Sequence, residues 1–510
     1  RTYMIGLLIQ DNAYEQDIRE LLMSFYPGET YAHEVKDELW FYVETRLGLG
    51  EISVLIWDRD GGVDGGRDGL DQGRDCLAGT SPKEEGPVSW KLAMARIGAC
   101  DLSDHSATKN VVKKMFYQML MERTGTELPW GSLTGIRPTK IALTRLEQGW
   151  SGDDIRSFMK ETYMASDEKI NLSVEIAARE KKLLEPLDYE RGYSLYVGIP
   201  FCPTTCLYCS FTSYPISKWT GRTGLYLEAL FKELEYTAGK MKGRPLDTIY
   251  FGGGTPTSLP AEDIHAILCK LEDLFDTAHA LEFTVEAGRP DSITEEKLQV
   301  LRDHGITRIS INPQTMNQKT LDLIGRRHSV EMVKERFWMA REMGFDNINM
   351  DLIMGLPEED MDDVRHTLHE VKKLAPDSLT VHSLAIKRAA RLNMFKEQYG
   401  DLKISNTPEM IDLSAACARE MGMEPYYLYR QKNMAGNFEN VGYSLPGKAC
   451  IYNILIMEEM QTIAACGAGT TTKVVFPSEN RRERCENVKE VEQYISRIDE
   501  MIGRKEKILA

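Results

Sequence analysis

The sequence lacks the features of a membrane protein or a nucleic-acid-binding protein. No apolar run approaches the roughly 20 residues that a helix needs to span a bilayer. The 62 lysines and arginines are outnumbered by 78 aspartates and glutamates, so the formal net charge is −16. Such an acidic chain disfavours nucleic acid and anionic membranes as partners. The first residues, RTYMIGLLIQDNAYEQ, predict a strand rather than a signal peptide. We therefore expect a cytoplasmic protein.

Over most of its length the sequence also lacks the paired cysteine spacing of a disulfide or zinc-binding protein. Seven of its ten cysteines are isolated, and we interpret them as reduced, buried side chains: Cys76, Cys100, Cys269, Cys417, Cys450, Cys466 and Cys485. Cys202, Cys206 and Cys209 lie together in GIPFCPTTCLYCSF. Three thiolates can ligate three irons of a 4Fe–4S cluster and leave the fourth iron open. A zinc site with a distant fourth ligand and three idle thiols are the alternatives.

The length of 510 residues predicts more than one domain. Residues 1–90 combine predicted strands and one helix in a small α/β unit, and residues 91–188 form a helical region. In residues 189–386, short apolar runs alternate with helical stretches. Residues 387–510 are expected to form a C-terminal region that serves the substrate side or an accessory role.

Six apolar runs in the third region predict parallel strands, because a helical stretch follows each of the first five. They are Ser194–Pro200, Asp247–Phe251, Leu281–Ala287, Arg308–Gln314, Asn347–Gly355 and Ser378–Ala385. We therefore expect an α/β fold with a partial (β/α)6 barrel similar to a TIM barrel. In such barrels the site lies at the carboxyl ends of the strands. The cysteine loop and GGGTP (252–256) follow the first two strands, and polar residues mark the other four: Glu286, Gln314, Asp351 and His382.

The three cysteines, followed by a glycine-rich turn one strand later, resemble the radical S-adenosylmethionine (radical SAM) superfamily. Five longer stretches resemble its oxygen-independent coproporphyrinogen III oxidase-like branch: YVGIPFC, YFGGGTPTSL, RISINPQT, GRRH and MDLIMGLPEE. LPWGSLTGIRPTK and YYLYRQKNMAGNFENVGYS are similar to the HemZ group of that branch, which carries an extra N-terminal region. The resemblance covers nearly the whole chain and is most specific over residues 190–470.

This resemblance implies roles for individual residues. Cys202, Cys206 and Cys209 would hold the 4Fe–4S cluster, whose open iron binds the amino and carboxylate groups of S-adenosylmethionine. One electron from the cluster then cleaves the cofactor to a 5′-deoxyadenosyl radical. Nine residues would bind one or two S-adenosylmethionine molecules: Tyr196, Gly253, Gly254, Thr255, Glu286, Gln314, Arg326, Asp351 and Ala385. An unidentified donor similar to flavodoxin or ferredoxin would supply the electron.

The resemblance also implies an activity, oxidative decarboxylation of coproporphyrinogen III to protoporphyrinogen IX in haem biosynthesis, with a tetrapyrrole as substrate. Two positions depart from the decarboxylating enzymes. Phe211 stands where they have a further cysteine, and Gly198 stands where they have histidine. The haem-chaperone relatives carry a C-terminal motif whose histidine is also missing here, in CIYNILIM. Haem binding without turnover and radical modification of haem or another tetrapyrrole are therefore the alternatives.

Four further residues are candidates for contact with the substrate. His328 and His382 lie near the predicted site, although each could equally be a structural histidine. Arg388 and Arg391 follow the sixth predicted strand. Because arginine pairs with carboxylates through two parallel hydrogen bonds, we expect these two to hold substrate carboxylates.

Overall fold

The computed structural model describes residues 4–60, 88–211, 213–385, 402–431 and 438–509. The chain divides into two compact units, Arg1–Pro138 with Arg145–Val174, and Thr139–Thr144 with Glu175–Ala510. The helices before residue 190 are α1 Glu15–Phe25, α2 His105–Thr124, α3 Thr139–Glu147, α4 Gly152–Tyr163 and α5 Asp167–Leu184. The division into four regions that the sequence indicates stays a prediction.

The first unit is built on a mixed sheet. Its strands are β1 Met4–Ile9, β2 Thr30–Ala32, β3 Leu39–Leu47, β4 Glu51–Arg59 and β5 Trp90–Ala99, in the spatial order β2-β1-β3-β4-β5. β1 is parallel to both of its neighbours, whereas β3, β4 and β5 pair antiparallel. Ile5 and Leu7 of β1 pack with Ile18 of α1 and Phe116 of α2 in its core.

The helical region predicted for residues 91–188 is wrong at its start. Residues 91–99 belong to β5, an edge strand in which partly buried and exposed residues alternate. Its sequence, WKLAMARIGA, is rich in good helix formers, but pairing with β4 overrides that preference. The helical pattern is right for α2, which ends at Gly125 in the left-handed conformation that the sequence predicts for a C-cap.

The second unit contains the predicted parallel strands. Its strands are β6 Tyr193–Ile199, β7 Phe201–Cys202, β8 Tyr214–Pro215, β9 Leu246–Gly253, β10 Glu282–Glu286, β11 Arg308–Ser310, β12 Ile348–Met354, β13 Ser378–Ser383, β14 Glu424–Tyr429, β15 Asn440–Ser444, β16 Thr462–Cys466, β17 Thr471–Phe476 and β18 Arg481–Glu486. β6 and β9 to β13 lie side by side in chain order, and all are parallel. The predicted α/β fold with a partial barrel is confirmed.

The C-terminal strands widen this sheet at both edges. β15 and β14 continue it antiparallel beyond β13, and β16, parallel to β6, leads to β17 and β18 on the other side. Within the described ranges the sheet has eleven strands, and its two edge strands do not pair with each other. The C-terminal region is therefore part of the same sheet.

The helices of the second unit after residue 190 mostly connect its strands. They are α6 Thr223–Met241, α7 Ala261–Leu274, α8 Glu295–Asp303, α9 Gln318–Leu323, α10 Val330–Glu342, α11 Met361–Leu374, α12 Pro408–Glu420, α13 Ile451–Glu458, α14 Val491–Ser496 and α15 Ile498–Glu506. In the part of the chain that the structure describes, none of the helices has the length and apolar character to cross a bilayer.

The two faces of the parallel sheet differ in chemistry. Paired residues of neighbouring strands form two rows on one face: Tyr196, Tyr250, Thr284 and Arg308, then Glu286, Ser310, Asn349 and Ser378. We call this the polar face. The alternate positions are apolar and buried, for example Leu195, Ile249, Val285 and Leu352. Crossover helices pack on apolar surface, so the polar face is the side left for a ligand.

Candidate active site

The cysteine loop leaves the carboxyl end of β6 and is bonded to the glycine-rich turn that follows β9. The backbone N–H of Gly254 donates to the carbonyl of Ile199, and that of Thr255 to the carbonyl of Phe201, both at 2.7 Å. The hydroxyl of Thr255 lies 3.4 Å from the sulfur of Cys202. The two loops therefore form one surface at the end of the sheet where the sequence predicts the site.

Two glycines of the turn are required by its geometry. Gly253 has a φ of +112°, which residues with a side chain rarely adopt. A Cβ on Gly254 would lie 2.6 Å from the carbonyl oxygen of Phe201 and 3.0 Å from the sulfur of Cys202. The backbone of the turn is therefore in van der Waals contact with the cysteine loop. A ligand bound on this surface would contact backbone atoms rather than side chains.

The spacing of the three cysteines favours a cluster over a single ion. Thiolates bound to one zinc ion lie about 3.8 Å apart. Among the residues that the structure describes, one trio of ligand groups lies within 4.8 Å, and it is not this one. Cys206 is buried, whereas Cys202 and Cys209 are partly exposed. Three thiols of one loop that do not all lie within 4.8 Å of one another fit a polynuclear iron–sulfur cluster better than mononuclear zinc.

The pKa values of two of these thiols are raised, which makes cluster assembly sensitive to pH. Burial raises the pKa of the Cys202 thiol, an effect that the hydroxyl of Thr255 opposes. Burial likewise raises the pKa of Cys209 to about 11. Cysteine ligates metals as the thiolate, so iron has to displace protons that the free loop holds tightly.

Two buried arginines lie beside Cys206. Arg289 places Nη1 3.5 Å from the sulfur of Cys206 and donates two bonds, of 2.9 and 2.7 Å, to Asp291. Arg326 also contacts Cys206 and donates to the carbonyl of Asn312. Positive charge here favours thiolates and a cluster that they ligate. The sequence predicts Arg326 for cofactor binding but not Arg289, although GRPD (288–291), which begins two residues after the strand-end Glu286, is a usable signal.

Glu286 is the carboxylate at the centre of the polar face. Its Oε1 accepts a 2.5 Å hydrogen bond from the hydroxyl of Tyr250, and the backbone N–H of Gly253 also donates to it. Burial, reinforced by the charge of Asp351, raises the pKa of Glu286 to about 7. The side chain is only partly buried, so its remaining lone pairs can accept from a ligand hydroxyl or amino group.

Three tyrosines form a wall beside this carboxylate. The ring centroids of Tyr250 and Tyr452 are 4.5 Å apart, and Tyr196 stacks at 6.0 Å from each, with all three rings nearly parallel. We call Tyr196, Tyr250 and Tyr452 the tyrosine wall. The sequence predicts only Tyr196 at the site, because Tyr452 arrives from the distant helix α13.

Gln314, Asp351 and His382 meet at the other end of the polar face. Gln314 has a φ of +68°, and its backbone N–H donates to the carbonyl of Asp351 at 3.0 Å. The Asp351 carboxylate accepts from Asn349 at 2.7 Å and lies 3.6 Å from Nε2 of His382. Burial raises the pKa of Asp351, but the hydrogen bonds from His382 and Asn349 outweigh burial and lower it overall.

Several buried polar atoms of this face have no hydrogen-bond partner among the described residues. Among the buried atoms that have no hydrogen bond within the described residues, four belong to this face: Thr284 Oγ1, Arg308 Nε, Ser310 Oγ and Gln314 Oε1. Buried polar atoms are expected to bond to protein, ligand or water. Their concentration between Glu286 and Asp351 fits a face that a polar cofactor covers, as the amino, carboxylate and hydroxyl groups of S-adenosylmethionine require.

The other residues that the sequence predicts for the site differ in burial, and two of them lie outside the described residues. His328 is buried beside Asp291 and Arg326, and burial together with the Arg326 charge lowers its pKa to about 3. It is a neutral core histidine that has no surface for a substrate. Ala385 is partly exposed just after β13. Arg388 and Arg391 lie outside the described residues.

The structure gives a physical reason for glycine at position 198. A Cβ there would collide with Cγ2 of Thr470, and the carbonyl of Gly198 accepts a 2.7 Å bond from the hydroxyl of Tyr226. The segment after β16 thus fills the space that a histidine would need. Phe211, the other departure, is 71% exposed.

Comparison with known proteins decides the family. The radical SAM superfamily model matches residues 196–371. The oxygen-independent coproporphyrinogen-III oxidase-like protein HemZ of Bacillus subtilis is 44% identical over 405 residues, covering 79% of this chain and 81% of that protein. The chain belongs to the radical SAM superfamily, among the coproporphyrinogen-III oxidase-like proteins. The family expected from the motifs is confirmed.

Two further relatives of this radical SAM protein differ in activity: one is named as a heme chaperone and the other as an oxidase. The heme chaperone HemW of B. subtilis is 37% identical over 195 residues, covering 38% of this chain and 51% of the chaperone. The solved structure of coproporphyrinogen III oxidase (HemN) from Escherichia coli, a radical SAM enzyme, gives a TM-score of 0.50 at 25% identity. It covers 62% of this chain and 71% of HemN. As a radical SAM protein, the chain uses a 4Fe–4S cluster and S-adenosylmethionine, and superfamily membership supports an enzyme.

Proposed function

We propose that the protein catalyses the oxygen-independent oxidative decarboxylation of coproporphyrinogen III to protoporphyrinogen IX in haem biosynthesis. One observation carries the proposal: the cysteine loop, the tyrosine wall and the carboxylates of Glu286 and Asp351 meet along one polar face. Relatives named for this oxidase, or as oxidase-like, support a tetrapyrrole substrate.

The proposed reaction converts two propionate side chains to vinyl groups. Together, the cluster and S-adenosylmethionine supply a 5′-deoxyadenosyl radical, which accepts a hydrogen atom. Each propionate gives up one β-hydrogen atom to it, then releases carbon dioxide and one electron, and the vinyl double bond remains. Each propionate therefore requires its own molecule of S-adenosylmethionine, one electron from a donor similar to flavodoxin or ferredoxin to cleave that molecule, and one acceptor for the electron it releases. Two vinyl groups require two of each.

The proposed roles follow from position. Cys202, Cys206 and Cys209 hold the cluster, with Arg289 and Arg326 balancing its charge. The turn Gly253–Thr255, Tyr196 and Glu286 bind S-adenosylmethionine beside it. A second molecule would contact Gln314, Asp351 and Ala385, while Arg326 stays with the cluster loop.

His382 is the proposed contact to a propionate. Its ring is partly exposed and lies between the carboxylate of Asp351, at 3.6 Å, and the hydroxyl of Tyr429, at 3.4 Å. Because Asp351 holds Nε2, the ring would donate to a substrate carboxylate through Nδ1, in place of its 3.4 Å contact with the hydroxyl of Tyr429. Arg388 and Arg391 are proposed to bind the other carboxylates.

Anaerobic turnover tests the proposal. The reconstituted protein is incubated with coproporphyrinogen III, S-adenosylmethionine and a strong reductant, and the oxidised porphyrins are separated by chromatography. We expect tricarboxylic and dicarboxylic products, with Arg388→Ala and Arg391→Ala each lowering turnover about tenfold or more, because a charge-assisted bond contributes about 1.5–3 kcal/mol. Arg365→Ala, which removes an exposed arginine of α11, is the control and should leave turnover unchanged. Abundant 5′-deoxyadenosine without any decarboxylated product would reject the proposal.

Haem binding without turnover is a second candidate. The closed position at Gly198 favours it, because the decarboxylating enzymes have a histidine where this chain has no room for one. Spectroscopic titration with haem separates the two functions. Stoichiometric haem binding by a protein that leaves coproporphyrinogen III unchanged would support the second candidate.

A further inference from the structure

A histidine–cysteine–histidine trio lies on two helices away from the candidate active site. His265 and Cys269 are four residues apart on α7, and His304 is the C-cap residue of α8. One potential ligand atom from each lies within 4.8 Å of the others, the one such trio among the described residues. Isolated Cys269, interpreted from the sequence as a buried side chain, is in fact partly exposed.

The helices that carry the trio lie opposite the polar face. α7 connects β9 to β10, and α8 connects β10 to β11, so both are crossover helices that cover the apolar face of the sheet. Ile264, Ile267 and Leu268 form the buried side of α7. The four-residue spacing places His265 and Cys269 together on another side of the same helix.

The potential ligand atoms of the trio already lie within 4.8 Å of one another. Nδ1 of His265 lies 3.9 Å from the sulfur of Cys269 and 2.8 Å from Nε2 of His304, the distance of a hydrogen bond that an ion would replace. Around one tetrahedral zinc ion, two nitrogens lie about 3.3 Å apart and a nitrogen and a sulfur about 3.6 Å apart. Metal binding would therefore move the two nitrogens about half an ångström further apart and bring the sulfur of Cys269 about 0.3 Å closer to Nδ1 of His265.

A carboxylate favours the tautomer of neutral His304 that a metal needs. Oε1 of Glu272 lies 2.7 Å from Nδ1 of His304, and the side chain of His304 is only 8% exposed. This carboxylate accepts a bond from Nδ1–H, so the lone pair of His304 is on Nε2, which points to His265. Metal-bound histidines characteristically donate their other N–H to such a carboxylate.

We infer that His265, Cys269 and His304 form a binding site for a divalent transition metal of the zinc class, with Glu272 orienting His304. Imidazole and thiolate ligands favour zinc over magnesium or calcium, which prefer oxygen. Three protein ligands leave a fourth position for water. The ion would join α7 to α8 on the apolar side of the sheet and is independent of the iron–sulfur cluster and of the proposed decarboxylation.

Zinc uptake by the cluster-loaded protein tests the inference. Reconstituted protein is dialysed anaerobically against buffered free zinc, and zinc and iron per chain are measured by mass spectrometry. We expect one zinc per chain beyond the cluster iron. Glu272→Gln should weaken zinc binding about 10–100-fold, and Cys269→Ser and His304→Asn should weaken it further. His279→Asn is the control, because that exposed histidine pairs with Asp276 outside the trio.

Alkylation of Cys269 gives a second readout that does not depend on metal counting. Zinc should slow the reaction of iodoacetamide with Cys269, followed by peptide mass spectrometry, and leave partly exposed Cys100 in the same sample unaffected. Wild-type protein that takes up no zinc beyond the cluster loop would overturn the inference. Equal uptake by wild type and Cys269→Ser, or equal alkylation of Cys269 with and without zinc, would also overturn it.

Discussion

Two carboxylates of the second unit, Glu233 and Glu286, are surrounded very differently. Glu233 is fully buried and accepts four bonds: from Lys505 at 2.6 Å, the hydroxyl of Tyr494 at 2.5 Å, Asn487 at 2.7 Å and the backbone N–H of Gly467 at 2.8 Å. These bonds join α6 to the loop after β16 and to the C-terminal helices α14 and α15. Every lone pair of Glu233 is used within the protein.

Among the described residues, Glu286 accepts from two donors, the hydroxyl of Tyr250 and the backbone N–H of Gly253, and it keeps part of its surface open. The raised pKa of about 7 reflects this incomplete compensation for burial. The difference teaches how to separate structural from functional carboxylates in this fold. A carboxylate with a complete set of partners holds the sheet together, and one with an incomplete set faces a ligand.

Removing the cluster ligands should have the largest effect. Cys202, Cys206 and Cys209 replaced together by alanine should abolish the cluster, which otherwise provides about four irons per chain after anaerobic reconstitution. The fold anchored at Glu233 should survive, because the three cysteines do not contact it. Iron and sulfide analysis with circular dichroism measures both effects, and Cys100→Ala is the matched control. Stoichiometric zinc in the wild-type loop, insensitive to reductant, would contradict the cluster assignment.

Replacing Glu233, the carboxylate with a complete set of hydrogen-bond partners, should destabilise the fold and leave the polar face unchanged. Glu233→Gln leaves Lys505 charged and buried without its counter-ion, and losing one partner of such a pair costs about 3–5 kcal/mol. Urea unfolding should show this loss, whereas Glu286→Gln should change the free energy of unfolding much less. Equal destabilisation by the two variants would remove the distinction between them.

Replacing Glu286, the carboxylate with an incomplete set of partners, should instead change the affinity for S-adenosylmethionine. Glu286→Gln should weaken S-adenosylmethionine binding about tenfold, because a buried hydrogen-bond partner contributes about 1–3 kcal/mol. The acceptor is the ionised form, and its pKa is about 7. Wild-type affinity should therefore be complete above pH 7 and fall as the pH drops through 7, while the variant should lack this dependence. Calorimetric titration between pH 6 and pH 8 measures it, and identical pH profiles would exclude Glu286 from the site.

A third carboxylate, Glu180, should have the smallest effect of the three, on the pH dependence of stability. Glu180 of α5 is fully buried near Glu458, and neither of its oxygens has a hydrogen bond within the described ranges. Burial, followed by the charge of Glu458, raises the pKa of Glu180 well above its usual value. The folded state therefore holds a proton that the unfolded state releases near pH 4.5, so this group lowers stability as the pH rises above that value.

Replacing Glu180 by glutamine should remove that dependence. Glu180→Gln should stabilise the protein by on the order of 1 kcal/mol at pH 8, because folding no longer requires the uptake of a proton, and the gain should shrink toward pH 5. Thermal unfolding across this range measures it. Glu175→Gln, which changes a partly exposed carboxylate of the same helix, is the control. A gain that grows toward low pH would show that the sign is wrong.

The sequence predicts the parts of the fold that depend on local pattern. All six parallel strands are where apolar runs alternate with helical stretches, because buried parallel strands need such runs. β5 is missed because pairing with β4, not its own composition, makes WKLAMARIGA a strand. The joining of β14 to β18 to both edges of the barrel sheet is also missed, because pairing partners far apart in sequence leave no local signal.

The site shows the same limit. Motif residues such as Cys202, Gly253 and Glu286 are predicted, and the structure gathers them at one end of the sheet. Their ligand roles stay predictions. Tyr452 reaches the site through folding alone, whereas Arg289 lies three residues after the predicted strand end at Glu286 and had a local signal. His328 lies near Arg326 in the sequence, yet its ring is buried beside Asp291 and Arg326.

Transfer of deuterium tests the central claim most directly. Coproporphyrinogen III deuterated at the β-carbons of its propionates is incubated anaerobically with reconstituted protein, S-adenosylmethionine and reductant, and 5′-deoxyadenosine is analysed by mass spectrometry. The account predicts deuterium in 5′-deoxyadenosine, together with vinyl products. Unlabelled 5′-deoxyadenosine and unchanged substrate would contradict it.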